Sequence, residues 1–409
     1  MPPGQEHDMM TMPMPMPGNP LGIDQTRDGS GTSWLPDASP MQGLMGQHGL
    51  WMLMLHGNGF VEFLDSGGDR GDRQFGSINW LMGMAQRPFG GGQLTLRGMA
   101  SADLWTVGRC GYPNLLQTGE SCNGAALHDR QHPHDLIMEL ALQYRRAIGE
   151  RLAFELYGGP AGEPALGPTA FPHRLSAMSN PLAPISHHWL DATHISFGVV
   201  TGGLYGRRWK AEGSLFNGRE PDDQRDDLDE ARLDSYSGRL WLMPGSRWAI
   251  QVSAGHVKDA ESRGSDPAED VDRVTASVTH HRLVNSRLWS TTFAWGQNRQ
   301  EHRASTAVLA ETSADLTTAD QVFARGELVT KTAGELVVAA APDEIFRTGK
   351  LQAGYTRWFA HSHRVAAGIG GSVGLALLPA PLQTLYGGRT AGELSVFVTL
   401  RPHPNDEGE

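Results

Sequence analysis

Between residues 50 and 402 the chain alternates apolar and polar side chains with period two, in runs of about 10 to 12 residues. The first run sets Leu53, Leu55, Gly57, Gly59, Val61 and Phe63 against Met54, His56, Asn58, Phe60 and Glu62. Period two means strand, because successive side chains leave a strand on opposite faces. Length decides which kind. Globular strands centre on about 5 to 6 residues, whereas a tilted strand crossing a bilayer needs about 9 to 11. In lipid an unpaired backbone N–H or C=O has no water to turn to, so strands that cross must close into a barrel.

The grammar repeats. Ile78, Trp80, Met82 and Met84 oppose Ser77, Asn79 and Gly83, and a third run from Gln93 to Leu104 places Arg97 and Asp103 on the face opposite Leu94 and Leu96. Ile195, Phe197 and Val199 are expected to face outward, with His194, Ser196 and Gly198 inward. The polar faces carry charge in mid-strand: Arg97, Asp103, Glu139, Arg145, Glu155, Lys210, Glu212, Arg239, Arg325 and Glu327. A β-sandwich also alternates, packing its apolar face on a partner sheet and turning a polar face to water; here the polar face carries both signs of charge in mid-strand, which favours a wet lumen. These residues are expected to line it, while Gly and Ala share the other face with larger apolar residues.

Connections set the count. Seven short links alternate with eight long polar ones, among them KDAESRGSDPAED and GQNRQEHRAS. That arrangement predicts an all-β fold, an antiparallel transmembrane barrel of about sixteen strands with both ends on the short-turn side, as in bacterial outer membranes. Trp51, Trp105, Tyr205, Trp209, Trp248 and Trp358 suit an aromatic girdle. Residues 1–48 read as a disordered periplasmic tail rich in Met, Pro and Gly, 49–402 as the barrel, and 403–409 as a short tail. MPPGQEHDMM has neither the basic start nor the apolar core of a secretory signal, as expected if the chain is mature, truncated or begun at another start.

Net charge of -11 and a pI near 5.8 argue against nucleic acid as a partner. The expected partners are membrane lipid, lipopolysaccharide and a small solute or metal ion; oligomeric state stays open. Acidic loops at 219–234 and 259–272 would be solvated, or would gather cations at the mouth. Cys110 and Cys122, alone in one Gly-rich segment, suit a local disulfide of an oxidising compartment better than a zinc site.

Candidate chemistry lies in two places. Met9, Met10, Met12, Met14 and Met16 offer soft thioethers that select Cu(I). Seven of the 17 histidines fall between His128 and His194, and of these His128, His132, His134, His187, His188 and His194 are the proposed ligands for a copper or zinc ion. Asp129, Asp135 and Asp191 could orient their rings. The competing reading makes these side chains hydrogen-bonding anchors for the 160–192 loop, folded inward as a constriction of a general diffusion porin. A barrel hydrolase using Ser176, Ser179 or Ser186 beside His187 is a third possibility, although GxSxG is absent and no enzyme is expected.

The Met/His-bearing tail leading into a barrel resembles the copper-resistance outer-membrane proteins of the CopB type in architecture, without their repeated Met-Asp-His boxes. LHDRQHPHD and SNPLAPISHHWLDATHISFG resemble an uncharacterised family of bacterial outer-membrane barrels. These resemblances imply an outer-membrane location and a link to metal handling.

Overall fold

The computed structural model describes residues 19–263, 266–301, 303–361 and 364–402. Over them the alternating runs pair into one closed antiparallel barrel of sixteen strands. The ring begins with β1 (Trp51–Ser66), β2 (Arg73–Phe89), β3 (Gly92–Ala100), β4 (Ile137–Ala147) and β5 (Ala153–Gly162). It continues through β6 (Ser196–Tyr205), β7 (Trp209–Phe216), β8 (Ser235–Gly245), β9 (Trp248–Arg263) and β10 (Asp266–Val284). β11 (Arg287–Gln300), β12 (Arg303–Asp315), β13 (Asp320–Thr332), β14 (Ile345–His361), β15 (Val365–Leu377) and β16 (Thr390–Pro402) complete it. Closure runs from Glu393↔Ser66 to Leu400↔Gly59 between β16 and β1, which removes the last edge. A short strand, Leu44–His48, pairs with the start of β1, where β16 has ended.

The outer face carries an apolar belt. Leu55, Phe63, Leu142, Leu240, Phe293, Leu328 and Val396 are all exposed, and a continuous apolar surface of this kind is stable only against lipid. This is the architecture of bacterial outer-membrane proteins, and the belt places the chain in an outer membrane. KDAESRGSDPAED and GQNRQEHRAS, expected as loops, instead extend the ladders, with β9 pairing β10 out to Arg263↔Asp266 and β11 pairing β12 out to Gln300↔Arg303. A strand that has left the lipid tolerates charge, so charge did not mark a loop there.

Facing is reversed at two strands. On β6, Val200 is 54% exposed while Val199 and Phe197 are each 1% exposed, so the even-numbered residues meet lipid. On β2, Phe75 and Leu81 are exposed, whereas Ile78, Trp80 and Met82 are buried. The third run stops at Ala100, and Asp103 belongs to a short helix, α1 (Asp103–Thr106), rather than to a strand. Of the aromatic set, Trp209, Trp248 and Trp105 are exposed; Tyr205 and Trp358 are buried.

These reversals share a cause: the lumen is filled. Residues 163–195, linking β5 to β6, fold inward as a plug that is buried along almost its whole length. From the short-turn side residues 19–41 also enter, and Leu21, Ile23 and Trp34 pack on Ala153, Tyr205, Trp241 and Met243. The two segments touch, Ala170 N donating to Ser30 Oγ at 2.9 Å and Thr169 Oγ1 to the Trp34 carbonyl at 3.4 Å. Residues 19–41 are therefore part of the packed interior and not of a disordered tail.

The wall charges expected to face water instead hold these segments. Arg145 takes Asp28 with both terminal nitrogens (2.7 and 2.8 Å) and Glu155 with Nε (2.6 Å). Lys210 reaches the Thr32 carbonyl, and Arg239 joins Glu212 (2.8 Å), the Gly167 carbonyl (3.0 Å) and Thr32 Oγ1 (3.1 Å). Arg97 meets Glu139 at 2.9 Å and the Gly29 carbonyl at 3.4 Å. Arg325 donates to the Leu182 carbonyl (2.7 Å), and Glu327 accepts from the backbone and hydroxyl of Ser186 (2.9 and 2.7 Å). Buried charges persist only when paired in this way, and losing one partner costs about 3–5 kcal/mol.

Candidate functional site

The link between β3 and β4 carries a hairpin, Tyr112–Cys122 against Ala125–Gln131. Cys110 and Cys122 are joined by a disulfide, with their Cα atoms 5.4 Å apart. After the hairpin the chain dives beneath the mouth and buries His132 and His134, while His128 stays near the surface beside Asp129 (3.0 Å). In the plug a second short helix, α2 (His187–Leu190), buries His187 and His188, and a single 3-10 turn ends at His194.

Five of the six proposed histidines come together around Phe171. Ring centroids are separated by 5.1 Å for His187–His194, 5.3 Å for His187–His188, 5.6 Å for His134–His194, 6.2 Å for His132–His188 and 6.4 Å for His132–His187. His128 is the one left out.

Oxygen acceptors set three of the rings. Nδ1 of His134 donates to Asp103 (2.8 Å), Nδ1 of His187 to Asp191 (2.8 Å) and Nδ1 of His194 to the Asp191 carbonyl (3.0 Å). A proton held on Nδ1 leaves the Nε2 lone pair free to ligate, and carboxylates commonly orient metal-binding imidazoles in this way. Nε2 of His134 and of His194 are buried with no hydrogen-bond partner. Burial also holds His132 and His194 well below the usual imidazole range and lowers His187, so these rings are neutral. Among the described residues, only Asp222, Asp227 and Asp229 bring three ligand atoms within 4.8 Å of one another. The histidines are thus gathered and oriented without being closed on a common point.

The loop bearing those aspartates caps the cluster. Glu220 lies 3.1 Å from His188, and Arg225 is buried between Glu120 and Asp135. Glu120 also approaches His132 at 3.1 Å. Sequence reasoning missed Glu120, Glu220, Arg225 and Phe171, which reach the cluster only through tertiary folding. Asp191 was legible, standing one helical turn beyond His187. The serines face the wall: Ser176 bonds Thr292 and Glu311, Ser179 bonds Ser313 and Gln321, and Ser186 bonds Glu327. Met9, Met10, Met12, Met14 and Met16 lie outside the described residues.

Comparison with protein-family profiles and with curated proteins finds no match. Solved structures are similar in fold. OmpF of Salmonella typhi, in complex with daunomycin, superposes with a TM-score of 0.52 at 9% identity, covering 88% of this chain and 100% of that one. A loop-deletion mutant of OmpT, an outer membrane protein of Vibrio cholerae, gives 0.51 at 10%, covering 86% and 99%. An anion-selective porin from Comamonas acidovorans gives 0.50 at 10%, also covering 86% and 99%. The chain therefore has the fold of porin-like outer-membrane barrels.

Proposed function

We propose that the protein is an occluded outer-membrane channel, without enzymatic activity, that passes or sequesters a small solute, and that the solute is a soft or borderline metal ion, copper first and zinc second. The reading rests on one observation: His134, His187 and His194, gathered in the filled mouth, each spend Nδ1 on an oxygen acceptor. Pinning a loop does not require neighbouring imidazoles whose buried Nε2 atoms, on His134 and His194, have no hydrogen-bond partner. Modest rotation of gathered rings would let several nitrogens share one ion, and the methionines before residue 19 would collect ions on the periplasmic side.

A general diffusion porin is the second reading, supported by the many wall contacts that anchor the plug. Planar-bilayer recording separates the two. The metal reading expects little current from the wild type and a response to copper or zinc. A large, weakly selective current indifferent to both metals would sink it. Metal analysis of the purified chain, compared with H187A/H194A, should register loss of bound copper or zinc in the variant.

A further inference from the structure

We infer that a second site lies at the periplasmic end of the lumen, where Met45, Met52, Met54, Met82, Met84 and His56 line one cavity and bind a monovalent soft cation, Cu(I) or Ag(I), through thioether sulfur and one imidazole nitrogen. It is separate from the histidine cluster at the mouth and does not depend on that reading.

Register puts the thioethers together. Met54 stands across from Met84 on β2 and from Met45 on the short strand, and His56 stands across from Met82. Directly opposed residues bring their Cβ atoms to about 4.5–5.5 Å, so three adjacent strands present sulfur to one space, with Met52 one inward step along β1. The cavity holds about 50 Å³, enough for an ion or a few waters, a water needing about 10–15 Å³ of such space.

A second observation points to a ligand. His56 is 8% exposed and lines the cavity, and its Nε2 has no hydrogen-bond partner. Leaving a buried polar atom unmet costs about 1–3 kcal/mol, and a soft cation would satisfy it. Trp80 and His173, with ring centroids 5.3 and 5.2 Å away, hold the imidazole in place. Nε2 of His173 in turn lies 3.4 Å from Sδ of Met99, which pairs with Met82 on the next strand.

Methionine as ordinary apolar filler is the plain alternative. It does not explain the sorting: the lipid face of β1 and β2 here uses Leu53, Leu55 and Leu81, and the thioethers are confined to the inner face. Charge selects a monovalent ion. Arg97 on the lining is matched by Glu139, and Asp28 by Arg145. Neutral thioethers favour Cu(I) over harder ions and offer no charge to offset a buried divalent one.

Ag(I), redox-inert, is the probe. The full chain in detergent is loaded with Ag(I), dialysed against free methionine and assayed for metal beside M54L/M84L, a volume-conserving pair, and beside H187A/H194A. The wild type should retain about one Ag(I) more than M54L/M84L, whose affinity for that ion should be about tenfold weaker or worse; tail methionines are common to both and cancel. H187A/H194A should keep the Ag(I) even if it loses copper or zinc, which separates failure of this site from failure of the mouth. Equal Ag(I) in wild type and M54L/M84L, at unchanged heat-modifiable migration, overturns the proposal. Should M54L/M84L misfold, anomalous density from a silver-soaked wild-type crystal decides: a peak among Met54, Met84 and His56 supports the site, and none there refutes it.

Discussion

Arg174 of the plug meets Glu311 of β12 at 2.5 Å, with both side chains 1% exposed. The same guanidinium holds Asp191 at 2.8 Å and the Thr169 carbonyl at 2.8 Å. One residue thus fastens the plug to the wall and to the carboxylate that orients His187. Substituting Arg174→Met removes the charge and keeps much of the stem. Glu311 keeps Arg325 at 3.1 Å, but Asp191 loses its guanidinium and retains only the neutral His187, so docking of the plug should weaken by about 3–5 kcal/mol. The expected result is a channel current in planar bilayers much larger than wild type, with barrel closure intact on a denaturing gel. R174M/E311Q should leak no less than R174M, because neutralising Glu311 also takes the carboxylate from buried Arg325, 3.1 Å away.

The plug should be most firmly seated near neutral pH. Burial keeps His132, His173, His187 and His194 below their ordinary value of 6.5. Their contribution to closure is complete above about 6.5 and is lost as pH falls, since the open state binds the extra protons. Glu120 and Glu163 behave oppositely: burial raises each to about 8, so the closed state binds their protons more tightly and loses that advantage as pH rises through about 8. Current recorded from pH 5 to 9 should pass through a minimum near about 6.5 and rise on both sides. A monotonic trace would show that one of the two sets does not bear on closure.

Gly296 of β11 marks where the wall admits the plug. A Cβ there would lie 2.3 Å from the carbonyl oxygen of Trp189. Because the backbone is ordinary strand, Gly296→Ala is tolerated by the barrel and resisted only by α2. Overpacking of this kind costs about 1–3 kcal/mol. Limited proteolysis should cut within 163–195 more readily in G296A, while thermal unfolding of the barrel in detergent stays within a few degrees of wild type.

Much of the wall was legible because lipid enforces alternation: Leu240, Leu242, Phe293 and Leu328 face outward as their runs predict. Alternation failed where both faces are apolar. On β2 and β6 the inner residues Trp80, Met82 and Phe197 pack together with Met99 and Met138 in one cluster, so polarity no longer names the face. The interior threading of 19–41 was illegible for a related reason. Its partners Arg97, Arg145, Lys210 and Arg239 are supplied by distant strands, and a Gly/Pro-rich stretch suits a narrow lumen as well as a loose tail. Clustered histidines were visible in the chain; the Asp103 carboxylate that sets His134 from the far end of the same loop, 31 residues earlier, was not.

Gly119 packs against the imidazole of His188. Its φ of +106° is a conformation for glycine, and a Cβ would stand 2.3 Å from Cε1 of His188. Gly119→Ala therefore meets two penalties, backbone strain of about 1–3 kcal/mol and displacement of the His188 ring. Because Gly119 lies in the hairpin closed by Cys110 and Cys122, the hairpin cannot simply drift away to relieve the clash. His188 should move from Glu220, and retained copper or zinc at the mouth should fall in G119A as it does in H188A. Ag(I) retention at the methionine cavity should be unchanged in both. If G119A keeps its metal while H188A loses it, the ring has found another route to the cluster, and the glycine serves only the turn.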